Sequence, residues 1–479
     1  MTPKRLGGAV RVLLVISFCF TGMCLAEQEY KVLSKDAKAL TGKMFDKMQK
    51  DFESVEYFQQ MQNAVTEAHI DKVARNRSVV SNAANTFSIK IDSWKVTNQH
   101  HSGRCWLFAG LNFLRAGAME KMNIEDFEFS QSYLFFWDKM ERANYFLESI
   151  IDTAELEDGN RTVDFILANS LGDGGQWNMF VSLVKKHGLV PKFAMPESFS
   201  SSNSKQMNYM LRRKLHEGAK NIRDEYKKGA DRKKLEKIKD EYLNIIYRML
   251  CIHMGTPPKK IFWQWRDKDD NFHRDGEMTP RQFAEKYVTV DLDDYVCLVH
   301  DPREKAPYGT TMTISYLGNV IGGEQVKYLN VEIGTIRKMA LETLKNNEPV
   351  WFGCDVGKLM SSELGLLYND LYDYEGVYNT TFELNKTERL LYHQTMMTHA
   401  MVFTGVDVVK NQPTKWRVEN SWGDKNGKDG YYIMNDAWFD EYMFEVAVKK
   451  SILPKKLQQA SETEPIVLPP WDPMGALAR

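Results

Sequence analysis

Four residues carry side chains whose types and order would do chemistry together: Gln99, Cys105, His399 and Asn420. A thiol becomes a strong nucleophile only as a thiolate, and free cysteine has a pKa of about 8.5. Cys105 has two sources of help. Trp106, Leu107, Phe108, Leu111, Phe113, Leu114, Ala118 and Met119 follow it at the spacing of a buried helix, which places the cysteine in the first turn, where the helix dipole is positive. An imidazolium at His399 would pair with the thiolate, protonate a leaving amine and then activate water. Asn420 would hold the ring's tautomer and orientation. Gln99, with the backbone N–H of Cys105, would donate to the oxyanion formed on the attacked carbonyl, and one such donor lowers the barrier by about 3–4 kcal/mol. Trp422, two residues after Asn420, would shield the His–Asn hydrogen bond from water. The implied chemistry is acyl transfer to a thiol followed by hydrolysis.

The elements that must position these groups are partly legible. Ser102-Gly103 allows a tight turn into the Cys105 helix. Asp36 to Gln60 has helical periodicity. Asp173-Gly174-Gly175-Gln176 is a Gly-rich turn opening a helix over Trp177–His187; it lacks the GxGxxG spacing of a dinucleotide site. Residues 203–254 are charged and helical, with Lys and Arg crowded between Arg212 and Lys239. Gly309 to Val331, Thr398 to Val409 and Lys415 to Met434 read as strands, the last two separated by a turn over Lys410-Asn411-Gln412-Pro413. The first lobe is therefore helical and the last β-rich. The tail 464–479 holds four prolines and is expected to be extended.

The bulk numbers set outer bounds. A 479-residue chain that is 43% hydrophobic can build a large core. Lys4, Arg5 and Arg11, the apolar run Val12–Phe20 and the small residues of Cys24-Leu25-Ala26 form a secretory signal peptide over residues 1–26, with cleavage expected after Ala26. The expected location is therefore secreted or periplasmic, and no later stretch is apolar enough to span a bilayer. The whole chain carries −1, and removing the three cations of the leader leaves −4 (−1 − 3), which gives no global electrostatic case for nucleic-acid binding. After the leader, four cysteines remain, Cys105, Cys251, Cys297 and Cys354; the last three are expected to be buried thiols in the core. His100-His101 has no matching ligands nearby, so no metal is expected, and no organic cofactor is required.

Gln99…Gly103-Arg104-Cys105-Trp106, Thr398-His399-Ala400 and Glu419-Asn420-Ser421-Trp422-Gly423 resemble the papain-like cysteine peptidases. Arginine ahead of the cysteine, in place of the usual serine, resembles one branch of them, the bleomycin hydrolase and aminopeptidase C family. His399 lies 294 residues (399 − 105) beyond Cys105, where simple papain-like enzymes need roughly half that. The end of the chain, Pro470-Trp471-Asp472-Pro473-Met474-Gly475-Ala476-Leu477-Ala478, is similar to the same branch, and the likeness covers about residues 35–479.

The resemblance implies an α+β, two-lobed papain-like fold over 27–463, with a helical insertion near 203–254 making oligomer contacts and a C-terminal arm, 464–479, lying in the active-site cleft. It implies a cysteine aminopeptidase acting on peptides with a free N-terminus, with a terminal carboxylate at Ala478 or Arg479 meeting the substrate's ammonium, and a homohexamer. Arg479 stands one residue past Ala478, so either it is trimmed or the carboxylate sits one residue further in. The other readings are an endopeptidase with a displaced arm and a non-catalytic oligomeric binding protein.

Overall fold

The protein is described by a computed structural model covering residues 32–35, 37–91 and 94–478. The signal peptide of residues 1–26, its cleavage point at Ala26, and Arg479 lie outside the described residues. The chain divides into two compact units, residues 1–66 and 67–479. The described part of the first holds two amphipathic helices, Gly42–Glu53 and Glu56–Glu67. They replace the single periodic stretch expected from Asp36: Thr41 caps the first helix, and the chain breaks at Ser54-Val55.

The second unit opens with helices. The Cys105–Met122 helix is buried over most of its length. Beside it lie Gln131–Asp152 and Trp177–His187, the latter starting where the Gly-rich turn predicts. Two 23-residue helices, Lys205–Lys227 and Arg232–Met254, supply the charged stretch. Each buries one apolar stripe, Leu211, Leu215 and Ile222 in the first and Leu235, Ile246 and Leu250 in the second, and leaves most of its charges in solvent, Arg223 being buried.

The C-terminal half is dominated by one sheet, twelve strands among the described residues. Its order is Ile466–Leu468, Thr311–Ile314, Tyr328–Asn330, Tyr295–Val299, Met443–Lys449, Val350–Cys354, His399–Val409, Gln412–Glu419, Tyr431–Asn435, Leu366–Leu367 and Met360–Ser361, with Ile89–Lys90 also pairing with His399–Val409. Val350–Cys354 and the first eight residues of His399–Val409 are buried on both faces, which their near-continuous apolar sequences permit. Aromatic rings join this sheet to the helices: Trp177 meets Phe113 edge-on at 5.3 Å and Trp351 at 5.8 Å. Trp351 also donates its indole N–H to the carbonyl of Trp106 at 3.1 Å, which ties the start of the cysteine helix to the middle of the sheet.

Several expectations need correction. The turn after Val409 is only Lys410-Asn411, both left-handed (φ 51° and 63°), and the next strand already begins at Gln412. Lys415 to Met434 is not one strand. It divides into Gln412–Glu419 and Tyr431–Asn435, with a loop between them that carries Asn420. The tail is not uniformly extended, because a short strand at Ile466–Leu468 is followed by a 3-10 turn over Pro473–Ala478. That turn is organised by Asp472, whose carboxylate accepts the Met474 N–H at 3.0 Å and whose carbonyl accepts the Gly475 N–H. Cys297 and Cys354 are buried free thiols, but Cys251 is only partly buried.

Candidate active site

Cys105 is the first residue of its helix, where the first N–H groups have no intrahelical acceptor. The backbone N–H groups of Ala400, Trp106 and Cys105 lie near its sulfur and favour the thiolate. The nearness of Ala400 sets the sulfur against the start of the His399 strand. His399 and Asn420 are brought together by simple strand geometry. They sit on adjacent antiparallel strands joined by the Lys410-Asn411 turn, in a register that pairs Val402 with Glu419. Asn420 follows Glu419 off the end of its strand and arrives beside His399.

The hydrogen bond between His399 Nε2 and Asn420 Oδ1 is 3.0 Å. Asn420 Oδ1 also accepts the Ser421 N–H at 2.7 Å, so two donors converge on that oxygen, and Nε2 is the protonated ring nitrogen. This leaves Nδ1 for the thiol. The Trp422 ring covers the pair, its centroid 4.8 Å from that of His399. The loop bearing Trp422 is held by an isolated bridge to Asn98 and by the Gly423 N–H to Thr97 at 3.0 Å. Gly423 is left-handed (φ 76°), and a Cβ there would stand 2.8 Å from the Asn98 side chain.

Gln99 is buried and fixed at three points. Its N–H donates to the Ser421 carbonyl at 2.8 Å, its Oε1 accepts from the Ser421 hydroxyl at 2.7 Å, and its Nε2 donates to the Ser102 carbonyl at 2.6 Å. The amide nitrogen has a second hydrogen, suited to an oxyanion. Gln99, Cys105, His399 and Asn420 are thus drawn to one place, and Trp422 is drawn to it as well.

Burial holds each half of the Cys–His pair neutral on its own. It pushes the Cys105 thiol up to about 11, against the nearby backbone N–H groups, and pushes His399 down to about 4, against the hydrogen bond that its Nε2–H donates to Asn420. A proton passed from Sγ to Nδ1 would create the two charges together, and their mutual attraction would be strong where water is excluded.

Sequence reasoning passed over several buried groups that build this site. Asp173 is the chief one. Its carboxylate accepts the Gly103 N–H at 3.1 Å, the Lys139 ammonium at 2.6 Å, the Ser204 hydroxyl at 2.5 Å and the Asn208 amide at 2.6 Å, and its carbonyl accepts the Trp106 indole N–H at 2.7 Å. Burial alone would raise Asp173, but Lys139 and these donors hold it well below the usual carboxylate range. Gly175 is required for space, since a Cβ there would stand 2.4 Å from the Trp106 ring. Only the Gly-rich turn was visible as a signal for this cluster; the partners of Asp173 lie on other helices.

The arm ends close to the same cluster. Ala478 is buried, and its carbonyl oxygen accepts from Arg142 Nη1 at 3.3 Å. Arg142 also donates to the Gly174 carbonyl, pairs through Nε with Asp138 at 2.8 Å and lies over the Trp106 ring. Upstream, Asp472 is clamped by Arg303 at 2.9 Å and Lys305 at 2.5 Å, and Arg161 stacks 3.7 Å from the Trp471 ring centroid.

Comparison with known proteins agrees with this geometry. The family described as Peptidase C1-like matches residues 39–475. Bleomycin hydrolase of Homo sapiens is 43% identical over 428 residues, which are 87% of this chain and 94% of that protein. Aminopeptidase C of Streptococcus thermophilus is 42% identical over 434 residues, 90% of this chain and 98% of that protein. The crystal structure of PepW from Lactobacillus rhamnosis HN001 superposes with a TM-score of 0.90 at 43% identity, over 91% of this chain and 99% of that one. The chain belongs to the peptidase C1-like family, the papain-like cysteine peptidases of α+β fold. Within that class it stands in the branch that holds bleomycin hydrolase and aminopeptidase C.

Proposed function

We infer that this chain is a cysteine aminopeptidase that removes N-terminal residues from unblocked peptides. Cys105 attacks the scissile carbonyl, Gln99 Nε2 and the Cys105 N–H stabilise the oxyanion, and His399 protonates the departing amine. The thioacyl enzyme is then hydrolysed by water activated at His399, with Asn420 holding the ring throughout. The observation that carries the chemistry is the joining of His399, Asn420, Ser421 and Gln99 in one hydrogen-bonded unit beside the Cys105 thiol.

The arm, 464–479, lies in the cleft in this reading and closes one end of it. Its support is the burial of Ala478, with its carbonyl on the same arginine that touches Gly174 and Trp106. A carboxylate at Ala478, or at Arg479 if the last residue is kept, pairs with the substrate's α-ammonium and excludes chains that continue past it. The decisive experiment is hydrolysis of one peptide with a free and with an acetylated N-terminus, with Cys105→Ala as the blank. Cleavage of the free peptide alone, one residue at a time, is the expected result. Cleavage of both would show an endopeptidase, and cleavage of neither in reducing buffer would show a binding protein.

Two further features belong to the same reading. The chain is exported, on the strength of its leader composition, and mature protein starting at Glu27 in an N-terminal sequencing run is the check. It assembles as a homohexamer through the helices of 203–254, where exposed Tyr209, Tyr247 and Ile252 offer contact area, and sedimentation velocity measures the state. Among the described residues no helix is long and apolar enough to cross a membrane.

A further inference from the structure

Arg104 and Glu197 have no place in the chemistry assigned above, yet they form an ion pair whose cation is wholly buried. The Arg104 side chain has no exposed surface, and its guanidinium grips Glu197 with two bonds of 3.0 and 2.9 Å. Glu197 is pushed up by burial and pulled further down by Arg104 and by the Ser201 hydroxyl at 2.6 Å, so it stays charged. The pair leaves the Nε–H of the guanidinium for other use, and its target is informative. Arg104 Nε donates to the Ser102 hydroxyl at 2.8 Å, and that hydroxyl donates to the Gln99 carbonyl at 2.6 Å. Gln99 Nε2 returns to the Ser102 carbonyl, closing a small ring of bonds around the amide.

From Gln99 the bonds continue through Ser421 to Asn420 and His399. Around the same loop, the His101 N–H donates to the Ser202 carbonyl at 2.9 Å, and the Gly103 N–H reaches Asp173, itself held by Ser204 and Asn208. Residues 197–208, the approach to the charged helices and their first turn, therefore grip the loop 99–104 on one side, while Ser421 grips it on the other.

We propose that Arg104, locked by Glu197, is a positioning residue for the oxyanion site: through Ser102 it fixes the amide of Gln99 where the tetrahedral oxyanion forms. The proposal rests on the reading of Gln99 as an oxyanion donor. The physical basis is that donors act on a transition state only when held in place beforehand, and a shift of about 1 Å costs about a hundredfold in rate. A planar guanidinium can grip a carboxylate with two N–H groups and still present Nε to a third acceptor. An ammonium at the same place cannot reproduce that fork.

The test uses the full-length protein with Arg104→Lys and Ser102→Ala. The second variant breaks the link to Gln99 without stranding a buried charge, so it reports on positioning even where the first is poorly folded. Three readouts are taken: kcat and KM on a peptide with a free N-terminus, affinity for a peptide aldehyde, and the rate of Cys105 alkylation by iodoacetamide at pH 6. The aldehyde forms a hemithioacetal whose oxygen occupies the oxyanion site; alkylation reads only the thiolate–imidazolium pair. The expected result is a fall of about tenfold in kcat and a matching loss of aldehyde affinity, with KM and alkylation within twofold of the parent. Unchanged aldehyde affinity in both variants, or alkylation falling in step with kcat, overturns the proposal. Gln99→Ala separates the two levels. If it too keeps its aldehyde affinity, the oxyanion role of Gln99 fails; if it alone loses affinity, the relay from Arg104 fails.

Discussion

Asp472 is the point at which the arm can be loosened without touching the catalytic groups. Its side chain is fully buried and bound to Arg303, which is 4% exposed, and to Lys305, which is 45% exposed. Breaking a buried ion pair by deleting one partner costs about 3–5 kcal/mol when the other is left alone. Arg303 would not be left alone, because Asp301 holds it at 2.7 and 2.6 Å. Asp472→Asn should therefore weaken arm docking by about 2–3 kcal/mol, or roughly 30- to 150-fold in the docking equilibrium. Met474 and Leu477 stay buried and keep most arms in place. The assay is kcat/KM for an acetylated peptide divided by that for its free counterpart. That ratio should rise by about the same 30-fold or more, with the activity on the free peptide reduced by much less. A ratio unchanged while the melting temperature drops would show that the ion pair supports the fold alone and that the arm does not limit access. The sign with pH follows from the same contacts. Burial pushes the Asp472 carboxyl up, but Arg303 and Lys305 hold it below the usual carboxylate range. Its contribution is therefore fully present above the unfolded aspartate value of about 3.9 and is lost as pH falls through the lower folded value. The parent enzyme should thus exclude acetylated peptides throughout the neutral range.

Three other outcomes follow from particular contacts. Gly175→Ala places a methyl 2.4 Å from the Trp106 ring, so either the ring or the turn must move; stability should fall by about 1–3 kcal/mol and kcat by more than that change alone explains, as read by thermal melts and kinetics. Trp422→Ala uncovers the His399–Asn420 bond, and kcat should fall about tenfold with little change in KM, whereas Trp422→Phe should recover most of it. Burial pushes Glu445 up to about 8, with the Cys297 thiol pulling the other way. The folded protein then holds a proton that the unfolded chain releases above about 4.3, so stability declines with rising pH between about 4.3 and 8. Glu445→Gln should flatten that decline and raise the melting temperature at pH 8 far more than at pH 5; an unchanged pH slope would refute the assignment.

The sequence by itself singled out Gln99, Cys105, His399, Asn420 and Trp422 as candidates, because each lies in a short run whose residue types have a chemical reason to occur together. It also placed the start of the Cys105 helix and both ends of the Trp177–His187 helix, since buried periodicity and a Gly-rich turn are local signals. It misplaced the bounds around Asn420 and made the tail too uniform, because a strand end or a single 3-10 turn depends on partners elsewhere in the chain. Only the tertiary structure decided what surrounds the site. Asp173 reads from sequence as a turn residue and Arg104 as a mark of the family branch, while nothing in the sequence links Arg104 to Glu197, 93 positions away. Their roles arise because folding removes them from water, and a charge without water must find fixed partners. Those partners come from the helices over 131–152 and 205–227 and from the segment 197–204, and no local pattern in the sequence marks them.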